Sequence, residues 1–127
     1  MNIDKLMRQY KGVQVDSAVD EASSHKLVSL LMNGALDRLL SAKASQEPSI
    51  RKALVGKTIS IIEYLRVSLD PGADLKFSEQ LGELYRYMES KLLESTLNDD
   101  AAQIDQVIDL IKPIRDGWDS IEQEYRG

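Results

Sequence analysis

The sequence predicts an all-α protein: an antiparallel four-helix bundle with a short N-terminal capping segment. Three observations predict it. Four segments of about 20–25 residues carry apolar side chains at three- and four-residue spacing, the period of a helix with one buried face. Brief turn signals separate them. Gly (7) and Pro (3) are scarce, too few for the many turns of a sandwich or barrel.

The first helix is expected from about Ser24 to Ser45, capped by Ser23 or Ser24, whose hydroxyl can accept an orphan backbone N–H. Leu27, Leu31, Ala35, Leu39 and Ala42 form its stripe, widened by Val28, Met32 and Leu36. Pro48 opens the second helix, because proline suits the first helical turn. Its stripe is Ile50, Leu54, Thr58, Ile61, Ile62, Leu65 and Leu69. Asp70-Pro71-Gly72 is a turn signal, and the third helix follows to about Leu97 with Phe77, Leu81, Leu84, Tyr85, Met88 and Leu92 inward. Asn98-Asp99-Asp100 supplies the cap of the fourth helix.

The fourth helix has the clearest period. Ile104, Ile111, Trp118 and Tyr125 are seven apart, with Val107, Ile114 and Ile121 three residues after the first three of them. Such a seam packs helices at a shallow angle. Pro113 lies inside it and predicts a kink or local break, since it removes a backbone donor and crowds the carbonyl of Asp109. Helices of this size are about 30–37 Å long, and short connections force them to alternate in direction. Residues 1–22 are expected to form the capping segment, where Ile3, Leu6, Met7 and Tyr10 share one apolar face, and residues 23–125 the bundle. A segment that short is not a stable helix by itself and must lean on the bundle.

Composition narrows the function. The chain has 127 residues, ordinary for one domain with its own core. Absence of cysteine excludes a disulfide scaffold, a thiol nucleophile and a cysteine-ligated metal, and is compatible with the cytosol. Sixteen basic residues against 21 acidic are dispersed along the chain, which disfavours nucleic acid as a partner. No apolar signal core opens the chain and no run approaches the length of a membrane span, so membrane insertion is not expected and the cytoplasm is.

Catalytic constellations are missing. His25 is the only histidine, so neither a di-iron bundle site nor a zinc site can be assembled, and no metal or other cofactor is expected. Ser23 and Ser24 beside His25 do not make a triad, and no glycine-rich phosphate loop exists. The protein is therefore expected to bind rather than catalyse. Histidine phosphotransfer by His25 is the alternative, since such domains are also four-helix bundles. Tyr87 lies two residues off the inner stripe of its helix, and Leu30, Leu40, Val55, Ile59, Leu93 and Leu110 flank the inner seams. Exposed together, they would form an apolar binding patch.

The run Ala22-Ser23-Ser24-His25-Lys26-Leu27 followed by Leu31-Met32-Asn33-Gly34-Ala35 resembles the first helix of the FliS family of flagellar secretion chaperones. Ile61-Ile62 with Leu65-Arg66-Val67-Ser68-Leu69-Asp70 is similar to the end of that family's second helix. Leu81, Leu84-Tyr85-Arg86-Tyr87-Met88 and Leu92-Leu93 resemble its third, and Asn98-Asp99, Val107, Leu110, Arg115 and Trp118 its last. The ordered set covers about residues 7–121. Ser24 stands where the family often has Pro, Asn33 replaces an acid, Asp74-Leu75-Lys76-Phe77 replaces a glycine-rich stretch, and Pro113 is atypical. Met7 and Tyr10 hold the positions of an Ile and a Tyr in the family's N-terminal segment.

The resemblance implies a cytoplasmic chaperone that binds the disordered C-terminal segment of flagellin. It would block premature polymerisation and help deliver flagellin to the flagellar type III export gate. The residues leave monomer or weak dimer open, since an exposed apolar patch could self-associate. The residues expected at the partner surface are Met7, Tyr10, Leu31, Gly34, Ile59, Leu65, Leu84, Tyr87, Leu93 and Leu110.

Overall fold

The computed structural model describes the backbone of residues 21–69 and 75–126, and the side chains of residues 26–69, 75–76 and 78–120. Four helices account for nearly all of it: α1 (Glu21–Ala44), α2 (Pro48–Val67), α3 (Leu75–Asn98) and α4 (Ala102–Arg126). Residues 1–20 and the Asp70-Pro71-Gly72 turn lie outside the described residues, whereas Glu21 and Ala22, expected in the capping segment, belong to α1.

Local chemistry sets the helix ends. Pro48 occupies the first turn of α2, and Glu47 before it is extended (φ −94°, ψ 117°), as the residue ahead of a proline prefers. The Glu47 carbonyl accepts the Arg51 N–H at 3.0 Å. At the end of α3, Asp99 adopts φ 50° and the Asp100 N–H reaches back to the Ser95 carbonyl at 3.2 Å, a left-handed helix stop. The Asp100 carboxylate then accepts the Ala102 N–H at 2.9 Å, so this residue both closes α3 and caps α4. Ser23 and Ser24 do not cap α1, because the helix has already started at Glu21.

The helices form a four-sided ring. α1 packs on α2 and α4, and α3 packs on the same two neighbours. Direction can be read from side-chain pairs. Along the α1–α4 seam, Asn33 meets Arg115 at 2.8 Å and Lys43 meets Asp105 at 2.6 Å. Ten residues forward in α1 are ten residues back in α4, so the two are antiparallel. Three-residue connections make α1–α2 and α3–α4 antiparallel as well.

The interior is aliphatic with two large aromatics. Val28, Met32, Ala35, Leu39 and Ala42 from α1 meet Val55, Ile62 and Leu65 from α2. Leu81, Tyr85, Met88 and Leu92 from α3 meet Ile104, Val107, Ile111, Ile114 and Trp118 from α4. The α4 seam is buried at each of its five described positions, as its heptad spacing predicts. Thr58 is buried in mid-helix because its hydroxyl donates to the Leu54 carbonyl at 2.9 Å.

Some expectations are corrected. Leu27 and Leu31 are half-buried rather than central. Three successive four-residue steps from Leu27 to Leu39 advance about 1200°, some 120° past three full turns, so the early members swing off the core. The 4-3-4-3 series Val28, Met32, Ala35, Leu39, Ala42 stays on axis. In α2, Val55 is core while Ile50 is exposed at the helix start. The local break offered as one outcome at Pro113 does not occur: α4 runs as one helix through it. Pro113 and Asp109 both face solvent, where water can satisfy the carbonyl that loses its donor.

Candidate functional site

Helix pairing sorts the exposed apolar residues onto three seams. On the α3–α4 seam, Gln103 Nε2 donates to Glu94 Oε2 at 3.4 Å. Two turns from each lie Leu110 and Tyr87, so these two share the outer side of the same seam. Tyr87 is 47% exposed, and the Lys91 ammonium sits 5.5 Å from its ring centroid. That is a cation–π contact at a wet site, and Lys91 is also 3.2 Å from Glu94. Leu84, one turn before Tyr87 and Met88, is half-buried against the core.

The α2–α3 seam is fixed by Arg66 Nε donating to Glu89 Oε2 at 2.8 Å. This hydrogen bond holds the Arg66 guanidinium above its ordinary pKa. Beyond the pair on one side lie Ile59, two turns back along α2 and half-buried, and Leu93, one turn on along α3 and 53% exposed. On the other side of the pair a cleft of about 550 Å³ opens between the helix ends, lined by Arg66, Leu69, Leu75, Gly82 and Arg86 with acids beside them.

The α1–α2 seam closes at Gly34. A Cβ at Gly34 would stand 3.9 Å from Ile61 Cδ1 and 3.0 Å from Arg38 Nη1. The missing side chain is thus the space in which the Arg38 guanidinium lies, donating to the Gly34 carbonyl at 3.1 Å. Leu27, Leu31, Leu54 and Ile61 line this seam half-buried, and Leu30 (63% exposed) and Tyr64 (43%) stand outside it.

The ten residues expected at a partner surface therefore do not form one patch. Leu84, Tyr87 and Leu110 are brought together on α3–α4, Ile59 and Leu93 on α2–α3, and Leu31 and Gly34 on α1–α2. Leu65 has no exposed surface and belongs to the core. Its position on the α2 stripe, three residues from Ile62, carries it inward. Met7 and Tyr10 lie outside the described residues, as does the His25 side chain. Leu30 and Tyr64, both exposed, stand outside that set, although the spacing already placed Leu30 beside the inner seam of α1.

Charge is also sorted by helix pair, which the dispersed sequence order conceals. α1 and α2 carry seven Lys and Arg against three Asp and Glu. α3 and α4 carry six against ten. The bundle has a cationic side and an acidic side. Among the described residues no group of three or more His, Asp and Glu could hold a metal, and no helix is long and apolar enough to cross a membrane.

Residues 6–125 match the family model described as "Flagellar protein FliS". The chain is 36% identical over 120 residues to the flagellar secretion chaperone FliSB of Pseudomonas aeruginosa, covering 92% of this chain and 95% of the relative. It is 35% identical over 124 residues to the flagellar secretion chaperone FliS of Vibrio cholerae (94% and 90%). The Escherichia coli protein of the same name is 34% identical over 118 residues (90% and 87%).

Proposed function

The chain belongs to the FliS family of flagellar secretion chaperones, and from that premise we propose that its cargo is the disordered C-terminal segment of flagellin. In this reading the protein acts in the cytoplasm, by binding and not by catalysis, as a monomer or weak dimer. It prevents premature polymerisation of flagellin and aids its delivery to the flagellar type III export gate.

The observation that supports the reading is the set of large apolar side chains left on the outside of a complete core: Leu30, Tyr64, Tyr87 and Leu93. Ordering a disordered tail costs about 2–5 kcal/mol or more. At about 25 cal/mol per Å² that cost alone needs roughly 80–200 Å² of apolar contact, and association itself needs more. A handful of such anchors on the seams is the kind of surface required, with the tail entering as helix in groove.

Calorimetric titration of a flagellin C-terminal peptide tests the proposal. Absence of binding at concentrations on the order of tens of micromolar overturns it. The match over residues 6–125 is to a chaperone family, so the phosphotransfer alternative at His25 is not carried further.

A further inference from the structure

The groove between α1 and α2 joins an apolar half to a cationic half. Gly34 and Ile61 set the level at which the two helices meet. One turn toward the start of α1, Leu30 stands exposed, and three residues on along α2 stands Tyr64. One turn the other way lie Arg38 on α1 and Lys57 on α2, brought to the same level by the antiparallel pairing.

Two features of this second half are unusual for a solvated surface. The Arg38 guanidinium lies down in the groove, in the space left by the missing Gly34 side chain. Its one recorded acceptor is the neutral carbonyl of Gly34, so most of its five donors remain for another group. Among the described residues no carboxylate pairs with either Arg38 or Lys57. Two like charges held near one another repel, and an anion placed between them removes that cost.

We propose that this groove receives a helix of the flagellin tail whose apolar stripe lies on Leu30, Ile61 and Tyr64, and whose carboxylate, one turn beyond, lies between Arg38 and Lys57. The assignment rests on the cargo reading above. It adds the location and the charge of the bound helix. A neutral apolar helix fits only half of the groove, and a basic one is repelled. The cationic balance of α1 and α2 favours the same sign of partner at longer range.

The chain has no cysteine, so a Leu30→Cys variant takes a single environment-sensitive fluorophore at the exposed edge of the groove. A flagellin C-terminal peptide is titrated into this labelled chain, with calorimetry on the labelled and the native chains in parallel. The labelled chain is expected to bind more weakly than the native one, and its emission to shift to the blue with its own calorimetric midpoint. An Arg38→Gln/Lys57→Gln double variant, checked for fold by circular dichroism, is expected to bind roughly threefold to tenfold more weakly in about 50 mM salt, with a smaller difference in about 500 mM. A peptide with its Asp and Glu changed to Asn and Gln is expected to show the same loss, with no further loss on the double variant.

Heat of binding with unchanged emission at position 30 overturns the location. Equal affinity of native and double variant at low salt overturns the charge complementarity. No heat with the native chain overturns the cargo reading, and this inference with it.

Discussion

Arg51, in the first turn of α2, forms an ion pair with Asp99, the residue on which α3 stops. The same guanidinium donates from Nη2 to the Ser45 carbonyl at 3.3 Å, so one side chain ties both short connections at this end of the bundle together. Asp99 also carries a cost, since its φ of 50° is left-handed and favours glycine. Asp99→Gly loses a largely exposed pair of about 0.2–1 kcal/mol but relieves the backbone, so stability stays within about 0.5 kcal/mol. Asp99→Ala loses the same pair without relieving the backbone, so it falls by about 0.2–1 kcal/mol and stands about 1 kcal/mol below Asp99→Gly. Urea unfolding of the two variants distinguishes them.

Asn33 uses both ends of its amide. The oxygen accepts from Arg115 at 2.8 Å across the α1–α4 seam, and the nitrogen donates to the Ser29 carbonyl at 2.8 Å. Asn33→Ala removes both half-buried bonds and is expected to cost about 1–2 kcal/mol. Asn33→Asp gains a charged acceptor for Arg115 but loses the donor to Ser29, so it stays within about 0.5 kcal/mol of the native chain. The check is the shift of the thermal midpoint of each variant.

Leu65 and Leu93 were equally plausible partner residues by sequence, and the structure separates them. Leu65→Ala opens a cavity in the core cluster, where the side chain has no exposed surface, and is expected to cost about 2–5 kcal/mol. Leu93→Ala, on an exposed side chain, changes stability by less than about 0.5 kcal/mol. If Leu93 anchors the flagellin tail, the same substitution weakens peptide binding by more than about fivefold. Melting curves and calorimetry on both variants give the two readouts.

Pro113 is tolerated in α4 without serving a visible purpose there. Pro113→Ala restores a donor toward the Asp109 carbonyl and removes a penalty of about 3 kcal/mol for proline in a helix. The more flexible unfolded chain offsets about 0.4–1 kcal/mol of the gain. A net stabilisation of about 1–3 kcal/mol is expected, measured as a rise in the urea midpoint at constant slope.

Lys43 responds at alkaline pH. Its hydrogen bond to Asp105, and then the charge of that carboxylate, hold the ammonium above its ordinary pKa. The folded value exceeds the unfolded one. The stabilising contribution is therefore fully present below the unfolded lysine pKa and is lost as pH rises through the folded value. A ¹³C-labelled Lys43 Cε is expected to titrate at higher pH in the native chain than in urea. Asp105→Asn removes the difference.

Element type and number were legible because the 3.6-residue period repeats over many turns in each segment. So were the Pro48 start and the Asp100 cap, which depend on local chemistry. Rotation of a helix about its own axis was not. α1 offers two adjacent apolar stripes, Leu27–Leu31 and Val28–Met32, about 100° apart, and only packing against α2 and α4 chooses between them. The same choice made Val55 core and Ile50 surface. Among the candidate partner residues Leu65 shows the effect, since surface and core positions differ by one such rotation. Arg38 went unnoticed for another reason. Its place depends on a glycine one turn earlier and on Lys57 in a different helix, and neither relation follows from periodicity.

The ring order of the helices carries a consequence for how the chain acquires its structure. Three of its seams join helices that follow one another, and only α1–α4 joins the first to the last. Val28, Met32 and Leu39 therefore wait for α4, the last of the four helices in chain order, before their side of the interior is shut. The single tryptophan, Trp118, rides on that closing helix and is 1% exposed when it arrives. Its fluorescence follows the docking of α4 onto α3 and α1 and not the α1–α2 hairpin.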